Sequence, residues 1–260
     1  MAVTNRSAEI LKLVRLHGSV RITDLAHDLK VSDETIRRNI RPLVDKGMVL
    51  KVHGGIMLPD RMGEPPFQNR MQENRETKQA LARLAAEQIY DGDSIILDGG
   101  ATTVHVALAL TGHRDLQVVT NSTDIARTLS PRDSNRVYMA GGELRADDGA
   151  AYGIHACEFV RRFHARHAVL SIAAVNSWGL MNQHPFESEF AQAAMEQAER
   201  VIIVTDHTKF GRDGFVKVCE LKDIDLLVTD AEPPASLARQ LADSDVEVLV
   251  PAAMAEQAVG

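Results

Sequence analysis

The stretch from Leu25 to Leu43 constrains this chain more than any other, because two short helical patterns follow one another with only a turn between them. Leu25, Ala26 and Leu29 form an apolar stripe, and Lys30-Val31 makes the turn. Ser32 can then cap a second helix whose first turn carries Asp33 and Glu34, the charge sign that suits a helix N-terminus. Thr35, Arg37 and Arg38 fall on the solvent side of that helix, while Ile36, Ile40 and Leu43 form its buried side. A short helix, a turn and a second helix bearing Thr and paired Arg read as a helix-turn-helix with its recognition helix exposed. The alternative is a small helical hairpin with a solvated basic face. The flanking sequence favours DNA.

Upstream, Ile10, Leu13, Val14 and Leu16 pattern a first helix that ends at His17-Gly18. Downstream, Gly47 ends the recognition helix, Met48–Val52 reads as a wing strand, and His53-Gly54-Gly55 makes a turn. Lys51 and His53 on that wing can meet a phosphate backbone, adding affinity without sequence information. Ten cations against six acids put residues 1–57 at about +4 with His neutral, whereas the whole chain is −7, so the remainder carries −11. A basic head on an acidic body suits a protein that touches double-stranded DNA with one end only.

At 260 residues and 45% apolar content the chain is too long for one winged helix and has enough apolar sequence for a second core. Cys157 and Cys219 lie in unrelated contexts without metal-ligand spacing and read as reduced thiols. No signal region and no run of about 20 apolar residues is present, so a soluble, cytoplasmic protein with no membrane partner, metal or cofactor is expected. Three segments follow: a winged helix-turn-helix over 1–57, a Pro-, Met- and Arg-rich linker over 58–75, and a second domain over 76–260. The second domain opens on a helix near Glu76–Gln88. Strands are expected at 94–97, 117–119, 136–139, 168–172, 201–204, 226–228 and 246–250, with helices at 102–110, 122–129, 187–198 and 235–241. Continuous apolar strands alternating with helices predict a mostly parallel α/β sheet covered on both faces.

Open α/β sheets bind ligands beyond the carboxyl ends of their strands. There the first strand runs into Asp98-Gly99-Gly100-Ala101-Thr102-Thr103, the second into Asn121-Ser122, the third into Gly141-Gly142-Glu143, and the fifth into Asp206-His207-Thr208-Lys209. A glycine turn opening onto a helix presents free N–H groups and the positive end of a dipole to an anion. The hydroxyls of Thr102 and Thr103 and the Lys209 ammonium can complete a phosphate pocket, leaving Asp98, Asn121 and Glu143 for hydroxyl groups. Each element has a plainer explanation: glycines that relieve a strand-to-helix turn, a surface lysine, an Asn-Ser pair that only caps a helix.

Taken together, these residues resemble the DeoR family of bacterial transcriptional repressors over nearly the whole chain. The head carries Asp24-Leu25-Ala26, Val31-Ser32, Thr35-Ile36-Arg37-Arg38 and His53-Gly54-Gly55. The second domain carries Asp98, Gly100 and Thr102, then Val119-Thr120-Asn121-Ser122, Gly141-Gly142-Glu143-Leu144, and Asp206 through Gly211. The resemblance implies a sensor of the ribose-5-phosphate isomerase type, a phosphorylated sugar or polyol effector, and homo-oligomers (dimer or tetramer) on paired operator half-sites. It implies DNA contacts by Ser32, Thr35, Arg37 and Arg38, and phosphate contacts by Gly100, Thr102, Thr103 and Lys209.

Departures from that pattern lie at Asn39, at Pro42 inside the recognition helix, at Ala101 where the family carries a threonine, and at Asn176 and Ala191-Gln192. Pro42 removes the backbone bond to Arg38 and is expected to kink or shorten the helix. Ala101 deletes a hydroxyl donor from the phosphate turn. The function these residues predict is that of a sequence-specific transcriptional regulator, released or modulated by the effector. One alternative is a sugar-phosphate isomerase with a DNA-binding head, with Asp98, Asp206 and Glu143 as candidate bases and Lys209 as acid. Another is a DNA-binding scaffold whose sensor has lost its ligand.

Overall fold

The computed structural model describes residues 5–17, 19–45, 48–52, 54–57, 65–132 and 134–251. The chain divides into two units, Met1–Glu73 and Asn74–Gly260.

In the first unit α1 (Asn5–His17), β1 (Ser19–Arg21), α2 (Ile22–Asp28), α3 (Asp33–Asp45), β2 (Leu50–Val52), β3 (Gly55–Met57) and α4 (Phe67–Gln72) follow in order. The strands form an antiparallel sheet, β1-β3-β2. Ile10 and Val14 of α1, Leu25 of α2 and Ile36, Ile40 and Leu43 of α3 meet in one core with Val49 and Ile56. The α2–α3 turn forms where expected: Lys30 takes a left-handed φ of 51° and Val31 N–H donates to the Ala26 carbonyl.

Pro42 neither stops α3 nor shortens it, because the helix runs three residues further to Asp45. Leu43 and Ile40 are buried on the core side of this last turn, so tertiary packing overrides the missing backbone bond. Phe67–Gln72 form a helix within the span expected to be linker, with Phe67 buried and the Arg70 guanidinium 5.5 Å over its ring. Gly18, Gly47, His53 and 58–64 lie outside the described residues.

In the second unit the elements are α5 (Arg75–Ala86), β4 (Ser94–Leu97), α6 (Ala101–Ala109), β5 (Gln117–Thr120), α7 (Thr123–Leu129), β6 (Arg136–Met139), α8 (Ile154–Val160), β7 (Ala165–Leu170), β8 (Ala174–Asn176), β9 (Gly179–Asn182), α9 (Pro185–Met195), β10 (Ala198–Val204), β11 (Val216–Cys219), β12 (Leu226–Val228), α10 (Ala235–Asp243) and β13 (Glu247–Leu249). Seven strands make one wholly parallel sheet in the order β13-β12-β10-β7-β4-β5-β6. The interior strands are buried on both faces, as in Ile95–Leu97 and Ala168–Leu170, whereas the edge strand β6 alternates exposed and half-buried residues.

The parallel α/β expectation therefore holds, with differences. β7 begins at Ala165 and ends at Leu170, so Ser171 and Ile172 lie beyond the strand rather than in it. Helix α8 and a separate antiparallel sheet, β11-β9-β8, had no sequence signal. Strands of three or four residues are too short to show a period, and β11 pairs with β9 across a long excursion that contains α9 and β10. Among the described residues no helix is long and apolar enough to cross a membrane.

Candidate functional site

In the first unit the exposed face of α3 begins at a real cap. Ser32 Oγ accepts from Thr35 N–H at 3.3 Å and lies 3.0 Å from Thr35 Oγ1, closing the first turn. The Asn39 amide donates to the Thr35 carbonyl at 2.9 Å, and Ser7 Oγ donates to the Asn39 carbonyl, tying this helix to α1. Ser32, Arg37 and Arg38 are exposed and Thr35 half-buried. Neither arginine has an ion-pair partner among the described residues, so two fixed positive charges face outward from a helix anchored by Ile36 and Ile40. Arg41 on the same helix is also exposed. Lys51 lies on β2 opposite Ile56, with its side chain outside the described residues, as is all of His53.

In the second unit the chain winds from β4 outward through β5 to β6, then returns to the other flank of β4 and continues from β7 through β10 and β12 to β13. This reversal places the carboxyl ends of β4 and β7 side by side, the position where an open α/β sheet forms a binding crevice. Asp98 follows β4 and Ser171 follows β7. Ser171 N–H donates to Asp98 Oδ2 at 3.2 Å and its hydroxyl donates to the same oxygen at 3.3 Å. Gly100 caps α6 between them, and a Cβ there would stand 1.8 Å from Ser171 Oγ, so no larger residue fits without displacing Ser171. Ala101 and Thr102 form the first turn of α6 and are almost wholly covered.

Asp98 is enclosed by its surroundings while part of its surface stays open. Desolvation pushes its pKa up to about 6, against the opposing pull of Thr103 and of the Ser171 and Gly100 backbone N–H groups. Thr103 corrects one expectation. Its hydroxyl is fully buried and donates to the carbonyls of Asp98 and Gly100, so it holds the turn together instead of facing a ligand.

Asn121, past β5, is fully buried. Its amide nitrogen donates to the Ala151 carbonyl at 3.0 Å, while Oδ1 has no partner among the described residues. Gly141, Gly142 and Glu143 leave β6 on an exposed loop that packs on Ala151 and the Tyr152 carbonyl at Gly142, and Glu143 makes no hydrogen bond or ion pair among the described residues. Beyond β10, Asp206 is buried and its Oδ1 receives Thr208 N–H and the Thr208 hydroxyl, so it shapes the turn that carries Lys209. His207 is clamped by Asp230 from the end of β12, with Nδ1 to Oδ2 at 2.6 Å. Lys209 is half-exposed on the β10 side, two strands, or about 10 Å, from β4.

Sequence reasoning missed the loop between β6 and α8. It folds back so that Ala151 N–H donates to the Asn121 carbonyl and Ala150 bridges Ser122. This brings Tyr152 to the pocket, its hydroxyl donating to buried Asp148 Oδ2 at 3.2 Å. Arg145 of the same loop pairs with Glu187 at 3.0 Å and lies 4.9 Å over the Phe186 ring. Arg145 directly follows the Gly141–Leu144 motif, which is the one local signal that pointed here. Among the described residues no group of three His, Cys, Asp or Glu side chains is placed to hold a metal.

An exposed, capped recognition helix in one unit and a seven-stranded parallel sheet with a chain reversal at β4/β7 in the other are the features of a DNA-binding regulator with a second, α/β domain. The model of the DeoR-like helix-turn-helix domain matches residues 6–62 and that of the DeoR C terminal sensor domain matches residues 73–231. Similar proteins include the glycerol-3-phosphate regulon repressor of Escherichia coli (strain K12), 34% identical over 95% of this chain and 99% of that one. The HTH-type transcriptional repressor CsqR of the same organism is 34% identical over 95% of each chain. The HTH-type transcriptional repressor GlcR of Bacillus subtilis (strain 168) is 30% identical over 94% of this chain and 95% of that one.

The chain belongs to the DeoR family and is a DNA-binding transcriptional repressor. Among solved structures, a D-ribose-5-phosphate isomerase in complex with phospho-erythronic acid overlaps 52% of this chain and 54% of its own at 17% identity, with a TM-score of 0.38. The sheet order above, rather than that partial overlap, defines the fold.

Proposed function

We propose that the chain represses genes of carbohydrate or polyol catabolism and is released from double-stranded operator DNA by a phosphorylated sugar or polyol. In this reading a head over 1–57 reads the operator through Ser32, Thr35, Arg37 and Arg38, with Lys51 and His53 on the backbone, and residues 76–260 hold the effector. The observation that carries the effector class is the Gly99-Gly100 turn opening α6 at the β4/β7 reversal, with Asp98 and the unpartnered Asn121 Oδ1 beside it. Such a turn favours the phosphate, the two polar side chains favour hydroxyls, and Lys209 adds a cation. The E. coli relative is named for a glycerol-3-phosphate regulon, which makes that compound the first effector to try. The protein is read as a cytoplasmic homo-oligomer, a dimer or tetramer whose heads meet paired half-sites, and sedimentation of the free and operator-bound chain tests that assembly.

The test of the function is operator binding followed by fluorescence anisotropy, with and without saturating glycerol-3-phosphate, glucose-6-phosphate and related esters. The expected outcome is a 5- to 150-fold loss of operator affinity, a coupling of about 1–3 kcal/mol, with one of them. Unchanged affinity with every phosphate ester tried overturns the reading.

One observation favours isomerisation as a second reading: a carboxylic acid at Asp98 that titrates near pH 6 is poised for proton transfer. Of its proposed partners, Glu143 stands exposed on its loop and Asp206 is engaged with Thr208. We favour the regulator, and no turnover of pentose or hexose phosphates is expected in a coupled assay.

A further inference from the structure

The crevice holds two oxygens that face the same glycine. From the position a Cβ on Gly99 would occupy, Ala150 Cβ is 2.8 Å away, Tyr152 Oη 3.4 Å and Asn121 Oδ1 3.5 Å, so both oxygens belong to the loop and strand end that pack on this glycine. Their hydrogen-bonding capacities match. The Tyr152 proton is committed to Asp148 Oδ2, which leaves the phenolic oxygen as an acceptor. The Asn121 amide nitrogen is committed to the Ala151 carbonyl, and this fixes which end of the side chain is Oδ1. That Oδ1 is fully buried and has no donor. A buried carbonyl oxygen left without a donor carries a desolvation penalty, so this arrangement is suited to a partner that arrives from outside the chain.

Both oxygens lie against the first glycine of the turn whose N–H groups open α6. A donor held by them is therefore next to whatever anion the turn holds. We infer that Tyr152 and Asn121 form a hydroxyl-selecting subsite, which takes the hydroxyl neighbouring the effector's phosphoester and so selects phosphorylated polyols and sugars that carry a free hydroxyl there. Asp148 positions Tyr152 by taking its proton. The inference rests on the effector reading above and adds to it a residue, Tyr152, and a rule for ligand choice. A ring oxygen at that position, which accepts but cannot donate, would meet two acceptors and be rejected.

The experiment is calorimetric titration of the full chain with three probes: inorganic phosphate, glycerol-3-phosphate, and the monophosphate of propane-1,3-diol, which lacks only the central hydroxyl. Wild-type protein is expected to bind glycerol-3-phosphate about tenfold more tightly than the deoxy compound, the size of one well-placed hydrogen bond to an otherwise unsatisfied buried group. Tyr152→Phe is expected to bring the two ligands to within about twofold of each other by weakening the hydroxylated one alone. Asn121→Ala, which removes the other acceptor, is expected to do the same and stands in for Tyr152→Phe should that variant melt early. Equal binding of the two esters by wild-type protein, or selectivity kept by both variants, overturns the subsite while leaving the phosphate site intact. Failure of all three probes to bind overturns glycerol-3-phosphate as the effector, and the subsite with it, while the wider effector reading falls only if every ester also leaves operator affinity unchanged.

Discussion

Asp98 is a carboxylate kept where burial disfavours its charge, and that has a signed consequence. Its folded pKa of about 6 lies above the ordinary 3.8, so the folded state holds a proton between those values that the unfolded state has released. Stability from this group is complete below about pH 4 and is lost as pH rises through 6, reaching about 3 kcal/mol at neutral pH. Asp98→Asn is expected to be more stable than wild type at pH 7, by up to that amount, and equal to it near pH 4; parallel urea melts across pH 4–8 measure the difference. Burial lowers the pKa of His167, which acts in the opposite sense below pH 6.5, and the comparison of the two proteins cancels it. A variant that loses stability at pH 7 would show that the Ser171 N–H bond outweighs desolvation.

Arg37 and Arg38 carry a different kind of prediction, because they are exposed and unpaired among the described residues. Replacing either by Ala relaxes operator sequence preference by about 1–3 kcal/mol if it reads a base edge. If it meets only phosphate, affinity falls on all DNA and the salt slope drops by about one. Competition binding at several salt concentrations separates the two, and a variant with wild-type affinity throughout removes that arginine from the interface.

At the scale of elements, α3 shows how packing and propensity trade. Its helical signature was legible in Ser32, the early acids and the Ile36–Ile40–Leu43 stripe, and the cap and core contacts appear as read. Pro42 was expected to kink or shorten the helix, and the helix is not shortened, since it runs on to Asp45. Pro42→Ala restores the N–H that can bond to the Arg38 carbonyl and is expected to stabilise the head by about 1–3 kcal/mol without lengthening the helix. Thermal unfolding followed by circular dichroism checks this; a destabilised variant would mean that the proline ring makes packing worth more than the bond. The β6–α8 loop is the opposite case. No period or motif marks Asp148 or Tyr152, because their role depends on backbone pairing between Ala151 and Asn121, residues thirty positions apart.

At the scale of the whole molecule, the proposed release from operator DNA carries a reciprocal consequence. Effector and operator must weaken each other by the same factor. In the proposed reading Lys209 is a cation that meets the effector, and Lys209→Ala is expected to reduce the effect of saturating ligand on operator affinity to under twofold. Anisotropy with and without ligand tests it, and an undiminished response would take Lys209 out of the site.

The sequence by itself determined what depends on near neighbours. Caps, apolar stripes, strand runs and the Gly99-Gly100 turn are set within a few residues, and so the head, the parallel sheet and the pocket's first loop could be written down from residue order. Only the tertiary structure decided which strands stand together. By setting β7 against β4 it brought Ser171 to Asp98, set the Ser171 side chain where a Cβ on Gly100 would stand and desolvated the carboxyl. By folding the β6–α8 loop onto β5 it bonded the Asn121 amide to Ala151 and brought the Tyr152 hydroxyl to the first glycine of the turn. Those relations span up to seventy residues of chain, and no local pattern encodes the free energy of groups that meet only after the sheet has closed.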